Sequence, residues 1–170
     1  FPYTTLFRSA CHGVTAGGVR AMGAPDLTDG DWLYGGDDAA LLASILDGRQ
    51  GVMPPQGAQF EAAQITNLAH YVLSLSGPPV DAVKAQLGKA SFGACAACHG
   101  PTGKGNPALG APNLSDGIWL HGGSLGQVEK VIREGLTGFM PAWRDRLGED
   151  NVRMIGAWLH ANARTAGNSR

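Results

Sequence analysis

"GACAACHG" at positions 93–100 contains a complete C-x-x-C-H from Cys95 to His99, and "FRSACHGV" at 7–14 holds the same Cys-His-Gly, with Arg8 where the leading cysteine should stand. C-x-x-C-H is the spacing of covalent c-type haem attachment. Two thiols one helical turn apart reach the two vinyl groups of a porphyrin, and the histidine that follows is carried under the iron as an axial ligand. A redox C-x-x-C, or half a zinc site that happens to precede a histidine, is the competing reading. It is the weaker one, because a zinc site needs further Cys or His nearby and none is left at suitable spacing.

Shifting the chain by 87 residues superimposes it on itself without a gap. Cys11, His12 and Gly13 fall on Cys98, His99 and Gly100; Gly23, Pro25 and Leu27 fall on Gly110, Pro112 and Leu114. "DLTDGDWLYGG" (26–36) matches "NLSDGIWLHGG" (113–123), and Met53-Pro54 matches Met140-Pro141. This is an internal duplication. With two copies of so long a unit, the expectation is two small domains in tandem, 10–76 and 81–163, joined by a proline-stiffened linker at 77–80 and followed by a tail at 164–170.

The second copy acts as a control on every candidate residue. Of five histidines only His12 and His99 are paired by the offset, and of four methionines only Met53 and Met140. Each of these methionines lies 41 residues after its histidine and precedes a proline, which holds its predecessor extended and stiffens the loop. They are the candidate sixth ligands, against the plainer reading of gap-filling methionines. His/Met ligation raises the potential relative to His/His and leaves no open position for a substrate, so electron transfer is favoured over catalysis and no catalytic residue is assigned. Trp32 and Trp119, each followed by Leu-x-Gly-Gly, read either as packing on the haem edge with the indole N–H toward a propionate or as core tryptophans. The Gly-Gly pairs suit positive φ or close approach to the macrocycle. His70, His121 and His160 read as surface or helix-end residues, Met22 and Met154 as core.

The chain has 170 residues, 44% apolar and 16% charged, with 26 glycines and 10 prolines. That suits loop-rich small domains held together by a bound group. A net charge of −1 argues against nucleic acid as a partner. The first 80 residues carry −4 and the remainder +3, which suggests a basic donor docking on the acidic half. Helical spacing places apolar residues at Ile65, Leu68, Ala69, Val72 and Leu75, and again at Val152, Ile155 and Leu159. Shorter helices are expected at 37–47 and 124–134, ending at Gly48 and Gly135. Val83, Leu87 and Ala90 predict an amphipathic helix before the second motif, with none before the first. No run alternates like a strand, so the fold class is all-α. No stretch reaches the ~20 apolar residues of a membrane-spanning helix and no signal peptide is visible, so the chain as given reads as soluble.

C-x-x-C-H followed by "GKGNPALGAPNLSDGIWLHGG" and "IREGLTGFMPAW" resembles the second haem domain of subunit III of cbb3-type cytochrome c oxidases, and 11–75 resembles its first. The resemblance implies two tandem cytochrome c-like domains, each built around a covalently bound haem c. It implies a periplasmic module, anchored by an N-terminal helix in the bacterial inner membrane, that passes electrons from a donor cytochrome c toward the oxygen-reducing oxidase core. Its partners would be the catalytic subunit and the monohaem cytochrome c subunit. The family ligands carry over as Cys95, Cys98 and His99 for one haem, Cys11 and His12 for the other, with Met53 and Met140 as distal ligands, in an arrangement where the two domains exchange methionines. The membrane helix, the first cysteine and the helix before it are absent. Residues 1–9, "FPYTTLFRS", read as a translated sequencing adapter joined to a truncated gene fragment, so nothing chemical is built on Arg8. The first haem then has one thioether available and is singly attached or unloaded. A free dihaem electron carrier, a dihaem peroxidase and a dithiol or metal-binding module are the alternatives.

Overall fold

The computed structural model describes residues 8–79 and 81–163. Residues 1–7 of the 1–9 segment, Val80 of the 77–80 linker and the 164–170 tail lie outside the described residues. Residues 8–12 are helical. There follow a 3₁₀ turn (Arg20–Met22), α1 (Asp38–Asp47), β1 (Arg49–Met53), α2 (Ala62–Ser74), α3 (Ala82–Ser91), α4 (Gly93–His99), α5 (Leu125–Glu134), β2 (Leu136–Met140) and α6 (Arg144–Asn162).

The helix starts are written in side-chain caps. Asp37 accepts the N–H of Ala40, Asp81 that of Lys84, and Ser124 that of Gln127, whose amide oxygen accepts the Ser124 N–H in return. α1 and α5 both stop at glycines of positive φ, Gly48 and Gly135, as their spacing predicts.

The packed elements form two units, and these are interleaved along the chain. Unit one is Phe1–Gln50 with Phe139–Arg170; unit two is Gly51–Gly138. In unit one, α1 packs on α6, and Leu41, Ile45, Leu46, Val152 and Leu159 form the core. In unit two, α2 packs on α3 and α5 around Ile65, Leu68, Ala69, Val72, Phe92, Val128 and Ile132. This grouping differs from a cut at 77–80. The connection from α2 to α3 is so short that the two helices become neighbours, and α2 is thereby drawn into the unit of the second C-x-x-C-H.

β1 and β2 pair as a two-stranded sheet, so the all-α expectation is corrected. "RQGVM" and "LTGFM" carry a central glycine and no alternating apolar face, and their strand geometry comes from tertiary pairing rather than local preference. The helix before the second motif exists but faces the other way from the expectation. Ala85 and Gly88 are its buried residues, while Val83 is 71% and Leu87 55% exposed. A Cβ at Gly88 would lie 2.0 Å from the backbone oxygen of Asn67, so α3 approaches α2 through its smallest residues, where a periodicity of large apolar residues has nothing to register. Three further expectations are corrected. His70 is buried in α2, beside the Ile65–Val72 core, whereas Met22 and Met154 are 61% and 45% exposed. Met22 lies in a short 3₁₀ turn with no buried residue, and Met154 lies on an exposed face of α6. His160 is at a helix end as expected, with Nε2 2.8 Å from the Asp38 carboxylate.

Candidate haem sites

The two Cys-His loops are built by the same bonds. After each histidine the chain turns so that Gly18 N–H donates to the His12 carbonyl (2.9 Å) and Gly105 N–H to that of His99 (2.8 Å). Val19 bridges Ala24, and Asn106 bridges Ala111. Leu27 N–H donates to Ala16 O, and Leu114 N–H to Gly103 O. The closed loop brings a proline carbonyl back to each imidazole: His12 Nδ1 lies 2.9 Å from Pro25 O and His99 Nδ1 3.0 Å from Pro112 O.

A carbonyl oxygen only accepts, so in each ring Nδ1 carries a proton, which in the neutral imidazole leaves the lone pair on Nε2. That is the tautomer a metal-ligating histidine needs, held by a partner of the kind that orients ligand imidazoles. The residues present therefore fit an iron porphyrin held through Nε2. The prolines were not among the expected site residues, although the 87-residue offset pairs Pro25 with Pro112.

In unit two, α3 runs through Phe92 into α4, which sets Cys95 and Cys98 nearly one turn apart with His99 at its end. Cys95 is half-buried against the core of unit two, as is Trp119, while Cys98 is exposed. Burial pushes the Cys95 thiol above its ordinary value, and the neighbouring Cys98 adds to the rise. In unit one Cys11 is half-buried. Among the described residues no group of three or more His, Cys, Asp or Glu converges as a metal-ion site would require.

Each Met-Pro segment sits with the other copy's helix. In unit one a Cβ on Gly48, at the end of α1, would fall 2.4 Å from the Met140 carbonyl, and Trp143 N–H donates to Ile45 O (3.0 Å). Met140 and Trp32 both pack against the core of unit one. In unit two a Cβ on Gly135 would fall 2.5 Å from the Met53 carbonyl, and Gln56 N–H donates to Ile132 O (2.9 Å). Cys11, His12, Trp32 and Met140 thus belong to unit one; Cys95, Cys98, His99, Trp119 and Met53 belong to unit two. Both tryptophans lie against the second glycine of their Gly-Gly pair, where a Cβ would come within 2.3 Å of the Trp32 ring or 2.8 Å of the Trp119 ring. The first glycine of each pair has φ near +95, as expected. The close approach at the second is to the indole.

The acidic excess of the first 80 residues does not survive as a difference between units. Unit one holds eight Lys/Arg and nine Asp/Glu, unit two five of each. Several of the acidic side chains of 26–47 close turns or pair with basic ones: Asp26 accepts from Thr28, Asp29 from Asp31 N–H, and Asp47 pairs with Arg144.

Loops of one design, each presenting a histidine with Nδ1 tied to a proline carbonyl beside a cysteine of a C-x-x-C-H or its remnant, on a mainly helical frame, define a scaffold of the cytochrome c kind. Residues 9–72 and 84–159 match the family described as Cytochrome C oxidase, cbb3-type, subunit III, and the chain belongs to that family. Cbb3-type cytochrome c oxidase subunit CcoP of Rubrivivax gelatinosus is 46% identical over 157 residues, which cover 92% of this chain and 51% of that protein. Subunit FixP of Azorhizobium caulinodans is 43% identical over 88% of this chain and 54% of its own length. Subunit CcoP of Rhodobacter capsulatus is 37% identical over 89% and 57%. The chain thus spans about half the length of the curated relatives it matches. Among the described residues no helix is long and apolar enough to cross a membrane.

Proposed function

We propose that this chain is a dihaem electron-transfer module, without catalysis of its own, that relays electrons from a periplasmic donor cytochrome c toward the catalytic core of a cbb3-type terminal oxidase. Cys95, Cys98 and His99 would hold one haem c with Met53 as distal ligand. Cys11 and His12 would hold the other with Met140. The haem, when bound, supplies a one-electron couple between ferrous and ferric iron. The protein's part is to keep the ligand set unchanged in both oxidation states. The Nδ1–H to proline bond fixes each imidazole, the proline after each methionine stiffens its loop, and the helix-end glycine behind each Met-Pro carbonyl lets that loop seat closely. Its partners would be the oxidase's catalytic and monohaem cytochrome c subunits on the periplasmic side of the inner membrane.

The observation that carries this reading is the repeated His–Pro bond, which prepares two Nε2 lone pairs in one chain. Expression in a host with c-type haem maturation, followed by the pyridine haemochrome assay, should find two haems per polypeptide, the one at Cys11 attached through a single thioether. One haem would remove the relay from this chain, and none, where a control cytochrome matures, would return it to the dithiol reading. In a His12→Ala background, Met53→Ala rather than Met140→Ala should abolish the thioether-to-iron absorption of the remaining haem. The reverse result would overturn the exchange of methionines.

A further inference from the structure

The side of α3 that turns away from α2 is apolar. Ala85 and Gly88 are the buried residues of the helix, and Phe92 carries that inner side on into the core. The outer side holds Val83, Leu87 and Ala90. Phe92 keeps helical backbone angles (φ −66, ψ −15), so the same side continues through Ala94 and Ala97 of α4. All five residues are exposed. Alternating steps of four and three residues confine them to one stripe about 80° wide.

Charge limits what the stripe can meet. Lys84 and Lys89 flank it on opposite sides, and both are exposed. Lys84 lies 3.5 Å from the Asp81 carboxylate, while Lys89 forms no ion pair among the described residues. No acidic residue occurs from Ala82 to Ser115. A second copy of the chain would set lysines against lysines on both flanks. Two large apolar side chains are also too few to seat a resident subunit, since permanent interfaces are large and hydrophobic, whereas redox encounters use small ones. The stripe leads to the cofactor position as well: Ala94 stands one turn before Cys98, which is itself exposed.

We infer that the Val83–Ala97 stripe of unit two, rimmed by Lys84 and Lys89, is where the electron donor docks, and that the donor is a small redox protein with an apolar centre and an acidic rim. This rests on the relay proposed above, with a haem attached at Cys95 and Cys98. It reverses the polarity that counting charge along the chain suggests, a basic donor on the acidic half. On docking, one electron passes from the donor's ferrous iron to the ferric iron held at His99, and no bond is made or broken. The apolar centre sets the contact, and the lysines select the sign of the partner.

The probe is mitochondrial cytochrome c in two forms of one fold: native, which is basic, and succinylated, in which the lysines become carboxylates. With both proteins reduced, the succinylated form should shift the amide resonances of 83–98 in the haem-loaded chain and leave those of α6 in place. In stopped flow it should reduce the oxidised chain faster than the native form does. Leu87→Glu should slow that step about tenfold and Lys89→Glu about threefold. Met22→Glu, an exposed apolar position of unit one, should leave the rate unchanged. Haem content and Tm equal to those of the native chain show that each variant is folded. Equal rates for the two forms, resonance shifts confined to unit one, or a native rate in both Leu87→Glu and Lys89→Glu would overturn the surface alone. Self-association that Leu87→Glu abolishes would put a second copy on the stripe and overturn it too. A haem-loaded chain reduced by neither form would overturn the relay itself, and the surface with it.

Discussion

Gly88→Ala should destabilise unit two, against the usual sign of that change in a helix. Within a helix interior alanine is favoured over glycine by about 1 kcal/mol. At Gly88, however, the added Cβ would sit 2.0 Å from Asn67 O, 2.4 Å from its carbonyl carbon and 2.8 Å from Leu68 N. Relief requires α3 to withdraw from α2 by about 1 Å, because the obstacle is backbone and has no rotamer to change. Overpacking of a well-fitted contact costs typically about 1–3 kcal/mol, and a displaced rigid helix belongs at the upper end, so the net loss should be roughly 1–2 kcal/mol. For a unit of this size that lowers Tm by roughly 5–15 °C. The effect reaches the site, since α3 passes through the single residue Phe92 into the helix that bears Cys95 and Cys98, and covalent haem yield at that motif should drop with stability. Thermal unfolding of the haem-loaded protein, with hydrogen exchange to separate the units, measures it. Gly126→Ala in α5 is the control, because nothing lies within 4 Å of its Cβ; it should gain up to about 1 kcal/mol. If Gly88→Ala stabilises as Gly126→Ala does, the close α2–α3 contact is refuted.

Three other outcomes are expected. In haem-free protein, Cys98 should be alkylated before Cys95 near neutral pH, because burial and the neighbouring thiol both hold Cys95 in its neutral form; mass spectrometry of single-labelled chains would read the order. The Asp81 carboxyl is held below its ordinary 3.8, chiefly by the Lys84 backbone N–H it accepts. A lowered folded-state pKa means that its stabilisation is complete above the unfolded value and disappears as pH falls through the folded one. The stability difference between the native chain and Asp81→Ala, followed by denaturant titration, should therefore be constant at neutral pH and shrink in strong acid. A fragment of residues 51–138 should mature with one haem and methionine ligation, whereas 77–163, cut at the tandem boundary, should lack its methionine partner; absorption spectra of the two fragments decide between them.

Much of the local architecture was legible because local chemistry dictates it. Asp37, Gly48, Ser124 and Gly135 bound α1 and α5 through caps and positive φ, and Ile65, Leu68, Ala69 and Val72 declare α2 by spacing alone. The two histidines that share the Nδ1–proline bond were legible as a pair from C-x-x-C-H and from the repeat. What was not legible depends on contacts distant in sequence. Gly88 has no side chain to contribute to an apolar pattern, so Val83 and Leu87 drew the face of α3 to the wrong side. The strands lack any pattern of their own. Pro25 and Pro112 act through carbonyl oxygens, which every residue possesses, so only their pairing by the offset could have singled them out.

The interleaving of the units changes what the charge distribution can mean. Counted along the chain, the first half is acidic and the second basic, and a donor of opposite charge could be steered to either. The helix after Met140 returns to the unit of the first Cys-His pair, however, and brings Arg144, Arg146 and Arg153 with it. Arg144 reaches Asp47 across that packing, and Arg153 pairs instead with Glu149 on its own helix. Each unit is left close to neutral, so long-range steering toward one unit is weak. Under the proposed relay, specific docking of a donor would then come from local surface chemistry, where unit two differs from unit one: residues 82–115 carry three lysines and no acidic residue, while 26–47 carry six aspartates and no basic residue until Arg49. Salt should therefore alter donor turnover only modestly, and lysine replacements in 82–115 should alter it more than any change in net charge made elsewhere.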